Sequence, residues 1–433
     1  MNATIHPLSE SCCKSELQLF DLPLTQTSLE ESHYVQITPV NSINAFEGPI
    51  EYIITSSGDL FLDPSDIFLY CKVKLVNADD SPLPVNYPAY PEKYFSSTFI
   101  SQADLYLNEK CVSSSSSKYP YRSFLEVETN YSKDAKQTHL EASLYYTNDK
   151  TNQIKEKFAK SKNKEFDFIG KLHLDLCNQE RLLLNGVDVK IRLLRSPNAF
   201  CLNIDSKAAE NIKVKVKLLD TYLYVRRVKL AANKQIEIEK RLLQNTAKYP
   251  IRRVETKTFT LPPGIAAKNL SNIVIGNLPH RLIVGLLDHK AVQGDYKKSC
   301  FEFKNFNLRK IALYNNGISI GRPFYPTYPS DENEFDLNAR SFLNFFTALG
   351  NYSELGNGVS KELFGKNTNL YPFDLTPDLS SNSCSHVNPV KQGQLSLQLE
   401  FKDNIPEALV VLLYCEYYSV LEINNLRQII TDF

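Results

Sequence analysis

The chain has 433 residues, 42% of them hydrophobic and 23% charged, and its 24 Phe and 24 Tyr supply enough apolar surface for more than one core. This composition is typical of globular proteins and excludes wholesale disorder. Lys and Arg together number 49, as do Asp and Glu, so the formal net charge is zero and no global basic field would draw the chain onto nucleic acid.

The N-terminal segment, residues 1–31, is predicted to be an arm. Its first thirty residues contain one basic residue, Lys14, which excludes a basic arm that binds nucleic acid. The segment also lacks the basic and apolar regions of a signal peptide, and the longest apolar stretch of the chain, 408–413, is far too short to span a bilayer. The nine cysteines show no CxxC spacing, which favours free thiols in a reducing compartment over a disulfide framework.

Short β-type runs dominate the first half of the chain. In residues 213–218 Lys alternates with Val or Leu, the period of two that places one face of a strand in water. Pro, Gly, Asn and Asp separate the runs, as turns require. The strands predicted from this texture are 33–40, 50–55, 67–76, 99–107, 166–176, 187–194 and 212–225.

Three segments carry helical patterns. The predicted helices are 121–131, 235–244 and 337–349. The second must end before Pro250, because the residue that precedes a proline disfavours helical backbone, and Asp336 is a candidate N-cap for the third. Between strands we predict surface loops at 77–91 and 113–117 and a long polar excursion at 132–164.

Strands resume in the second half, and the order of features repeats that of the first half. The predicted strands are 253–261, 281–287, 309–314, 395–401 and 409–418. In each half a strand is followed by a helix that contains the tetrapeptide Arg-Ser-Phe-Leu, at 122–125 and at 340–343. Further along, a glycine precedes an alternating strand, at Gly186 and at Gly393. The colinearity of these matches indicates an internal duplication.

These patterns predict an all-β fold of two tandem eight-stranded antiparallel jelly rolls with a few short helices. Strands that follow in runs, without regular βαβ alternation, favour antiparallel sandwiches over a parallel sheet. Eight short strands in two facing sheets make a jelly roll. The predicted division is an N-terminal arm at 1–31, a first roll at 32–230, a helical linker at 231–247, a second roll at 248–423 and a C-terminal tail at 424–433.

No catalytic constellation, cofactor motif or metal site is predicted. The seven histidines are scattered, and only His280 and His289 are near neighbours, without HxH or HExxH spacing. The glycine-rich stretch 356–366 lacks the spacing of a phosphate-binding loop. Residues 380–386 combine serines, a cysteine and a histidine but lack the G-x-S-x-G of a nucleophile elbow, so a polar loop is favoured there.

Several long motifs occur in a recognisable order between about Ser15 and about Ile423. The most specific are Phe-Asp-Leu-Thr-Pro-Asp-Leu-Ser at 373–380 and His-Val-Asn-Pro-Val-Lys-Gln-Gly at 386–393. The others are 58–63, 119–122, 247–251, 278–285 and 356–360. With these motifs the chain resembles the double jelly-roll major capsid proteins of Polinton/Maverick elements and the related adintoviruses. It departs from the family where His-Trp-Asn is common, because Val387 replaces the Trp and the chain has no Trp at all.

The resemblance implies a structural role without enzymatic activity. It implies a homotrimer with a pseudo-hexagonal outline that tiles an icosahedral shell around double-stranded DNA, with penton or minor capsid proteins as further partners. It also implies no sequence-specific nucleic-acid binding and a location in the virion capsid, after an intracellular stage in either the nucleus or the cytoplasm. The alternative is a jelly-roll binding protein, domesticated from such an element in a host genome, that does not assemble a capsid.

Long loops are expected to join the subunits of the trimer. The segments 77–91, 132–164 and 321–334 exceed what two jelly rolls need, and each carries tyrosines that are expected to be exposed. Tyrosine is enriched at interfaces because it combines apolar area with a polar tip. The tyrosines are Tyr87, Tyr90, Tyr145, Tyr146, Tyr325 and Tyr328.

Overall fold

The structure, a computed structural model, describes residues 8–432 except 11, 21, 42–47, 57, 114–116, 205–213, 329–337, 353–355 and 384. Its strands in the first half are β1 Leu29–Ile37, β2 Ile50–Ile54, β3 Leu60–Asn77, β4 Ala89–Pro91, β5 Ile100–Leu107, β6 Lys110–Cys111, β7 Glu165–Lys171, β8 Val189–Arg195, β9 Leu202–Ile204 and β10 Val214–Leu230. Those in the second half are β11 Ala247–Leu261, β12 Ala267–Asn277, β13 Arg281–Asp288, β14 Leu308–Asn315, β15 Ile318–Phe324, β16 Leu370–Asp374, β17 Gln392–Phe401, β18 Leu409–Ile423 and β19 Ile429–Thr431.

Helices lie mainly in the connections between strands. They are α1 Phe95–Thr98, α2 Tyr119–Asn130, α3 Lys133–Gln137, α4 Thr151–Lys160, α5 Asn198–Cys201, α6 Ala232–Leu242, α7 His289–Gln293, α8 Ala339–Leu349 and α9 Lys361–Lys366. Short 3-10 helices add Ser15–Leu17, His139–Ser143, Asn148–Lys150 and Leu176–Asn178. Within the described residues, no helix is long and apolar enough to cross a membrane.

The strands form the same two antiparallel sheets in each half. In the first half the orders are β1-β10-β3-β7 and β2-β8-β5-β6, and β4 pairs with β9 in a separate ribbon. In the second half they are β11-β18-β13-β16 and β12-β17-β14-β15, with β19 added beside β18. The eight main strands of each half are those that remain when β4, β9 and β19 are left out. Numbered along the chain, they give the orders 1-8-3-6 and 2-7-4-5 in both halves. This is the strand order of a jelly roll, and it confirms the predicted fold class.

The hairpin between the fourth and fifth main strands shows how closely the halves correspond. In the first half, Asn108 and Glu109 both have positive φ between the paired residues Leu107 and Lys110. In the second half, Asn316 and Gly317 occupy the same two positions, again with positive φ. Two-residue turns of this handedness match the twist of paired strands, and Asn and Gly tolerate them best. The duplication therefore extends to backbone conformation.

The two rolls share the same orientation of their strand ends. β1 begins beside the end of β10, where Leu29 pairs with Leu230, and β11 begins beside the end of β18, where Ala247 pairs with Ile423. We call this end of each roll its base. The base also carries the hairpin just described and the segment that leads into the seventh strand, which is β8 or β17.

Two hydrophobic cores fill the rolls, and each borrows residues from the other half of the chain. The core of the first roll includes Tyr249, Ile251, Leu421 and Ile423, which lie beyond residue 230. The core of the second roll takes aromatic and aliphatic side chains from the first half. These are Tyr94, Tyr121, Phe124, Leu125, Val127, Tyr145 and Phe200. The predicted division at 231–247 stays a prediction, because the packing crosses it in both directions.

The expectation of exposed loop tyrosines was wrong for most of them. Tyr90, Tyr145 and Tyr146 are buried within the chain, because the segment 132–164 folds into helices that pack on the first roll instead of extending into solvent. Tyr87 and Tyr328 are half-buried, and Tyr328 donates a hydrogen bond to Asn369 Oδ1 at 2.8 Å. Tyr325 is exposed. These loops mostly serve the fold of a single chain.

Two further details differ from expectation. The helix predicted at 337–349 begins at Ala339, and Asn338 is its N-cap; Asp336, the expected N-cap, lies outside the described residues. Cys177, expected on a strand, lies on the 3-10 helix Leu176–Asn178, because the strand predicted at 166–176 ends at Lys171. The eight cysteines in the described part of the chain are all free thiols, and Cys384 lies outside it.

Candidate functional site

Helix α2 forms the seam between the two rolls. All of its residues except Asn130 are buried. It belongs to the first roll by sequence, but its apolar side chains enter the core of the second. The ring of Phe124 stacks on Phe301 with centroids 4.1 Å apart, and Tyr121 meets Phe301 edge to face at 6.0 Å. A helix that is buried on every face must lie between two bodies, and here it lies between the rolls.

Arg122 anchors this helix by charge. Its guanidinium lies 2.9 Å from Glu126 Oε1 and 2.7 Å from Asp175 Oδ1, and all three groups are buried. Asp175 also accepts the backbone N–H of Val254 in β11, at 3.2 Å, so the network reaches the second roll. Burial alone would raise the pKa of Glu126, but the charge of Arg122 and the hydrogen bond from His173 lower it to about 2.

A second buried network fastens the end of α2. Lys136 Nζ donates to Glu128 Oε2 at 2.7 Å and to the carbonyl of Asn357, in the second half, at 2.9 Å. Tyr145 donates its hydroxyl to Glu128 Oε1 at 2.7 Å. Burial would raise the pKa of Glu128, but the charges of Lys136 and Lys93 lower it to about 2. A buried ion pair of this kind is typical of a permanent internal contact.

A third network lies at the base of the second roll. Arg281 holds Glu416 with two hydrogen bonds, from Nε at 2.9 Å and from Nη2 at 2.6 Å, and Tyr414 donates to the same carboxylate at 2.8 Å. Glu416 is buried, which favours its neutral form, but the charge of Arg281 and the contact with His280 hold its pKa well below the ordinary value. The ring of His280 stacks on Tyr418 with centroids 4.0 Å apart. None of this was predicted from the sequence.

Helix α8 is the counterpart of α2, but it is covered far less. Arg122 and Arg340 both lie in the first turn of their helix, and the repeated tetrapeptide follows. Leu125 is 1% exposed, whereas the matching Leu343 is 46% exposed. Arg340 is exposed as well and lies over the ring of Tyr325 at 5.0 Å. The second roll thus presents a partly apolar helix face that has no partner within the described chain.

The base of the first roll is covered by later parts of the chain. Tyr249 in β11 accepts the N–H of Leu184 and donates to the carbonyl of Leu182, both at 3.1 Å. Arg427, beyond β18, donates to the carbonyl of Asn185 at 2.8 Å. Its side chain lies over Gly186, where an added Cβ would be 3.2 Å from Nε.

The base of the second roll instead holds an open cavity of about 320 Å³. Three of the motifs that carry the family resemblance meet there, which the sequence could not show because they lie far apart along the chain. Its wall includes Asn277, Leu278, His280, Asp374, Leu375, Asn388, Pro389, Val390, Lys391 and Tyr418. His280 Nδ1 has no hydrogen-bond partner among the described residues although the side chain is buried.

Hydrogen bonds join the described residues of the polar loop at 380–386 to Asp378 and to one another. His386 Nε2 lies 2.7 Å from Asp378 Oδ2, Ser385 Oγ lies 2.9 Å from His386 Nδ1, and Ser380 Oγ donates to Asp378 Oδ1 at 2.7 Å. The hydrogen bonds from Ser380 and His386 hold the pKa of Asp378 well below its usual range. Ser385, His386 and Asp378 are exposed, so the geometry is that of a surface turn joined by hydrogen bonds.

The remaining residues considered for chemistry stay apart. His280 lies at the base of the second roll, while His289 begins α7 at the opposite end of β13. Among the described residues, no group of three or more His, Cys, Asp or Glu side chains could hold a metal ion. The stretch 356–366 includes α9, whose N-cap Ser360 accepts the N–H of Leu363.

Comparisons with known proteins point to one architecture. No family model matches the chain. It is 24% identical over 430 residues to the uncharacterized protein F54H12.2 of Caenorhabditis elegans. The alignment covers 95% of this chain and 99% of that protein. Among solved structures it is similar to VP54 of the virus PBCV-1, with a TM-score of 0.61 and 12% identity over 96% of this chain and 99% of that one.

Two further structures agree. The mavirus major capsid protein matches with a TM-score of 0.54 and 10% identity, over 100% of this chain and 97% of that one. A chain of the Sputnik virophage matches with a TM-score of 0.56 and 10% identity, over 100% of this chain and 94% of that one. The chain therefore has the double jelly-roll fold found in viral major capsid proteins.

Proposed function

We propose that this chain is a major capsid protein that assembles as homotrimers into an icosahedral shell around a double-stranded DNA genome, in an element of the Polinton/Maverick kind. The observation that carries the proposal is the unequal burial of two equivalent helices. Helix α2 is buried because the second roll of the same chain covers it, whereas Leu343 of α8 is 46% exposed among the described residues. A neighbouring copy would supply the missing cover.

The geometry of the duplication favours three copies. Each chain offers two rolls of one topology, divided as proposed at 32–230 and 248–423, so three chains offer six similar lobes. If α8 of one chain meets the first roll of the next, as α2 meets the second roll within a chain, the contact is head-to-tail. Head-to-tail contacts repeat until the ring closes, and six lobes in a ring give a pseudo-hexagonal outline that can tile a surface.

The composition and the ion pairs support a structural role. The formal net charge of zero leaves compaction of a genome to other components. The ionisable groups at the seam are held in fixed pairs, such as Arg122 with Glu126 and Lys136 with Glu128, as in a structural contact. Penton or minor capsid proteins would complete the shell at its vertices.

The test is the mass and shape of the purified protein. We expect light scattering to give three times the chain mass of 49.4 kDa at micromolar concentration and moderate salt, and electron microscopy to show hexagonal outlines and closed particles. A stable monomer under these conditions would overturn the proposal.

The second candidate is a domesticated binding protein that does not assemble. The relative in a nematode favours it, because an animal genome is a setting in which a former capsid gene can be retained. Such a protein would be monomeric in the same light-scattering experiment, so one measurement separates the two candidates.

A further inference from the structure

The part of the N-terminal arm that precedes β1 exposes large apolar side chains. Among its described residues, five of them are each at least 66% exposed. They are Leu17, Leu19, Phe20, Leu22 and Leu24. A cluster of this kind on a short segment marks an interaction site, because water strongly disfavours it.

The two rolls differ at the loop that leads into their seventh strand. Counted back from the hairpin pairs Leu107–Val189 and Asn315–Leu395, Leu184 of the first roll corresponds to Val390 of the second. Leu184 is buried, whereas Val390 is 57% exposed on the wall of the base cavity. The first roll is covered here by Tyr249 and by the residues around it, and the second roll is not.

The connectivity identifies what the missing cover would be. The first roll is covered by the segment around the start of β11, the first strand of the second roll. β1 is the first strand of the first roll and so is the equivalent of β11. In a closed ring, the segment around the start of β1 in the next copy would therefore cover the second roll. By register, Tyr34 of β1 corresponds to Ile251 of β11; Ile251 is buried against the first roll, whereas Tyr34 is 59% exposed.

The arm starts from the correct end and can reach far. β1 begins at the base of the first roll, the same end of the jelly roll at which the cavity opens in the second. The 21 residues from 8 to 28 would span up to about 70 Å if fully extended. This is several times the width of a β-sandwich, whose sheets pack about 10 Å apart.

We infer that the base cavity of the second roll binds the N-terminal arm of a second copy of this chain. The inference rests on the proposed self-assembly. It adds a contact between neighbouring copies at the base of the second roll. Apolar arm side chains would cover Val390 and Leu375 on the wall of the cavity. Each subunit would thereby be tied to its neighbour by its own N-terminus.

The test is a disulfide formed between copies. Two differently tagged full-length chains are co-expressed, one with Leu22→Cys and the other with Val390→Cys, both with Cys12 and Cys13 replaced by Ser. The control pairs Leu22→Cys with Asn404→Cys, an exposed position in the turn between β17 and β18 at the opposite end of the roll. The readouts are the particle mass by light scattering and the yield of mixed dimer after mild oxidation.

We expect a trimer mass and a mixed-dimer yield at least tenfold higher for Val390→Cys than for Asn404→Cys. A trimer mass with equal yields would overturn the arm contact and leave the proposed assembly intact. A monomer mass would overturn both. Repeating the pairing with Leu24→Cys protects the test against an unfavourable geometry at one arm position, and failure at both positions in a trimer rejects the inference.

Discussion

Glu416 is the residue whose loss should harm the second roll most directly. The substitution Glu416→Gln would leave the buried guanidinium of Arg281 without its carboxylate, since Arg281 donates to it twice. Breaking a buried pair on one side typically costs about 3–5 kcal/mol. We expect a loss of this size in the free energy of unfolding by urea denaturation. Glu362→Gln, which breaks an exposed pair with Lys366, is the control and should leave stability nearly unchanged.

Acid should weaken the seam between the rolls. The pKa values of Glu126 and Glu128 are both lowered to about 2, so their ion pairs contribute stability that is complete above about pH 4.5 and is lost as the pH falls toward 2. We expect the urea midpoint to fall steeply across this window. The double variant Glu126→Gln/Glu128→Gln should be weaker at neutral pH and change less on acidification. A midpoint that stays constant from pH 5 to 2.5 would contradict this account.

The buried cysteines should be inert in the folded protein. Burial raises the pKa of Cys71, Cys177, Cys201 and Cys415 to about 12 in each case, so their thiols stay protonated at neutral pH. We expect a thiol reagent to modify these four only after denaturation, with mass spectrometry locating the modified positions. Rapid reaction of any of them in the native protein would contradict their burial.

At the scale of single residues, the sequence predicted little of the site. Arg122, Glu126 and Glu128 alternate with apolar residues in a way that would suit an ordinary surface helix, and nothing local shows that a second body covers their face. The partners of Arg281 lie over a hundred residues away. Buried ion pairs depend on which distant segments meet, and one sequence does not contain that information.

Helices α2 and α8 offer a matched pair of substitutions. Leu343→Asp places a charge on the half-exposed face of α8, so we expect the folded chain to persist while the trimer dissociates. Leu125→Asp, at the same position of the buried α2, should cost several kcal/mol and prevent folding, because an unpaired charge would enter the core. Light scattering and thermal unfolding measure the two effects.

An exposed apolar residue elsewhere serves as the control for this pair. Ile236 on the linker helix α6 is 56% exposed, and Ile236→Asp should leave both the mass and the stability unchanged. If Leu343→Asp also remains a trimer with unchanged stability, α8 does not contact a neighbouring copy.

At the scale of elements, the sequence was informative where local patterns decide the structure. The repeated Arg-Ser-Phe-Leu correctly marked two equivalent helices, and the alternation of Val214, Val216 and Leu218 correctly marked a strand with one buried face. The segment 132–164 was misjudged because its polar residues cover a few buried ones, such as Phe158 and Tyr145, that fasten it to the rolls. Composition alone does not show that a few buried side chains are enough to hold a polar segment on the core.

The whole molecule is held together at its base by the C-terminal segment. Arg427 donates to Glu239 in the linker helix at 2.6 Å and to both oxygens of Asn185 in the first roll. Arg427→Ala should cost about 1–3 kcal/mol and make the segment after Ile423 easier to cleave by protease. Arg241→Ala, which removes an exposed partner of Glu237, is the control and should have no such effect. Limited proteolysis followed by mass spectrometry reads out the difference.

The predicted tandem arrangement held at this scale because duplication is visible in one sequence. The helices that carry Arg-Ser-Phe-Leu occur at the same place in the order of elements in both rolls, and the strand orders agree throughout. What the sequence did not show is the asymmetry between the copies. Val390 and Leu343 look like ordinary members of a repeat, and only the packing reveals that their counterparts are covered.

The pairing of the first main strand of each roll with the last has a consequence for synthesis. β1 leaves the ribosome early, yet its sole partner among the described strands, β10, ends at Leu230. At about 5–20 residues per second, translation needs roughly 10–40 s to deliver that partner. Until then the first roll cannot close, and the second cannot close until β18 emerges. The proposed assembly therefore requires the finished chain, because neither roll is closed in the nascent one.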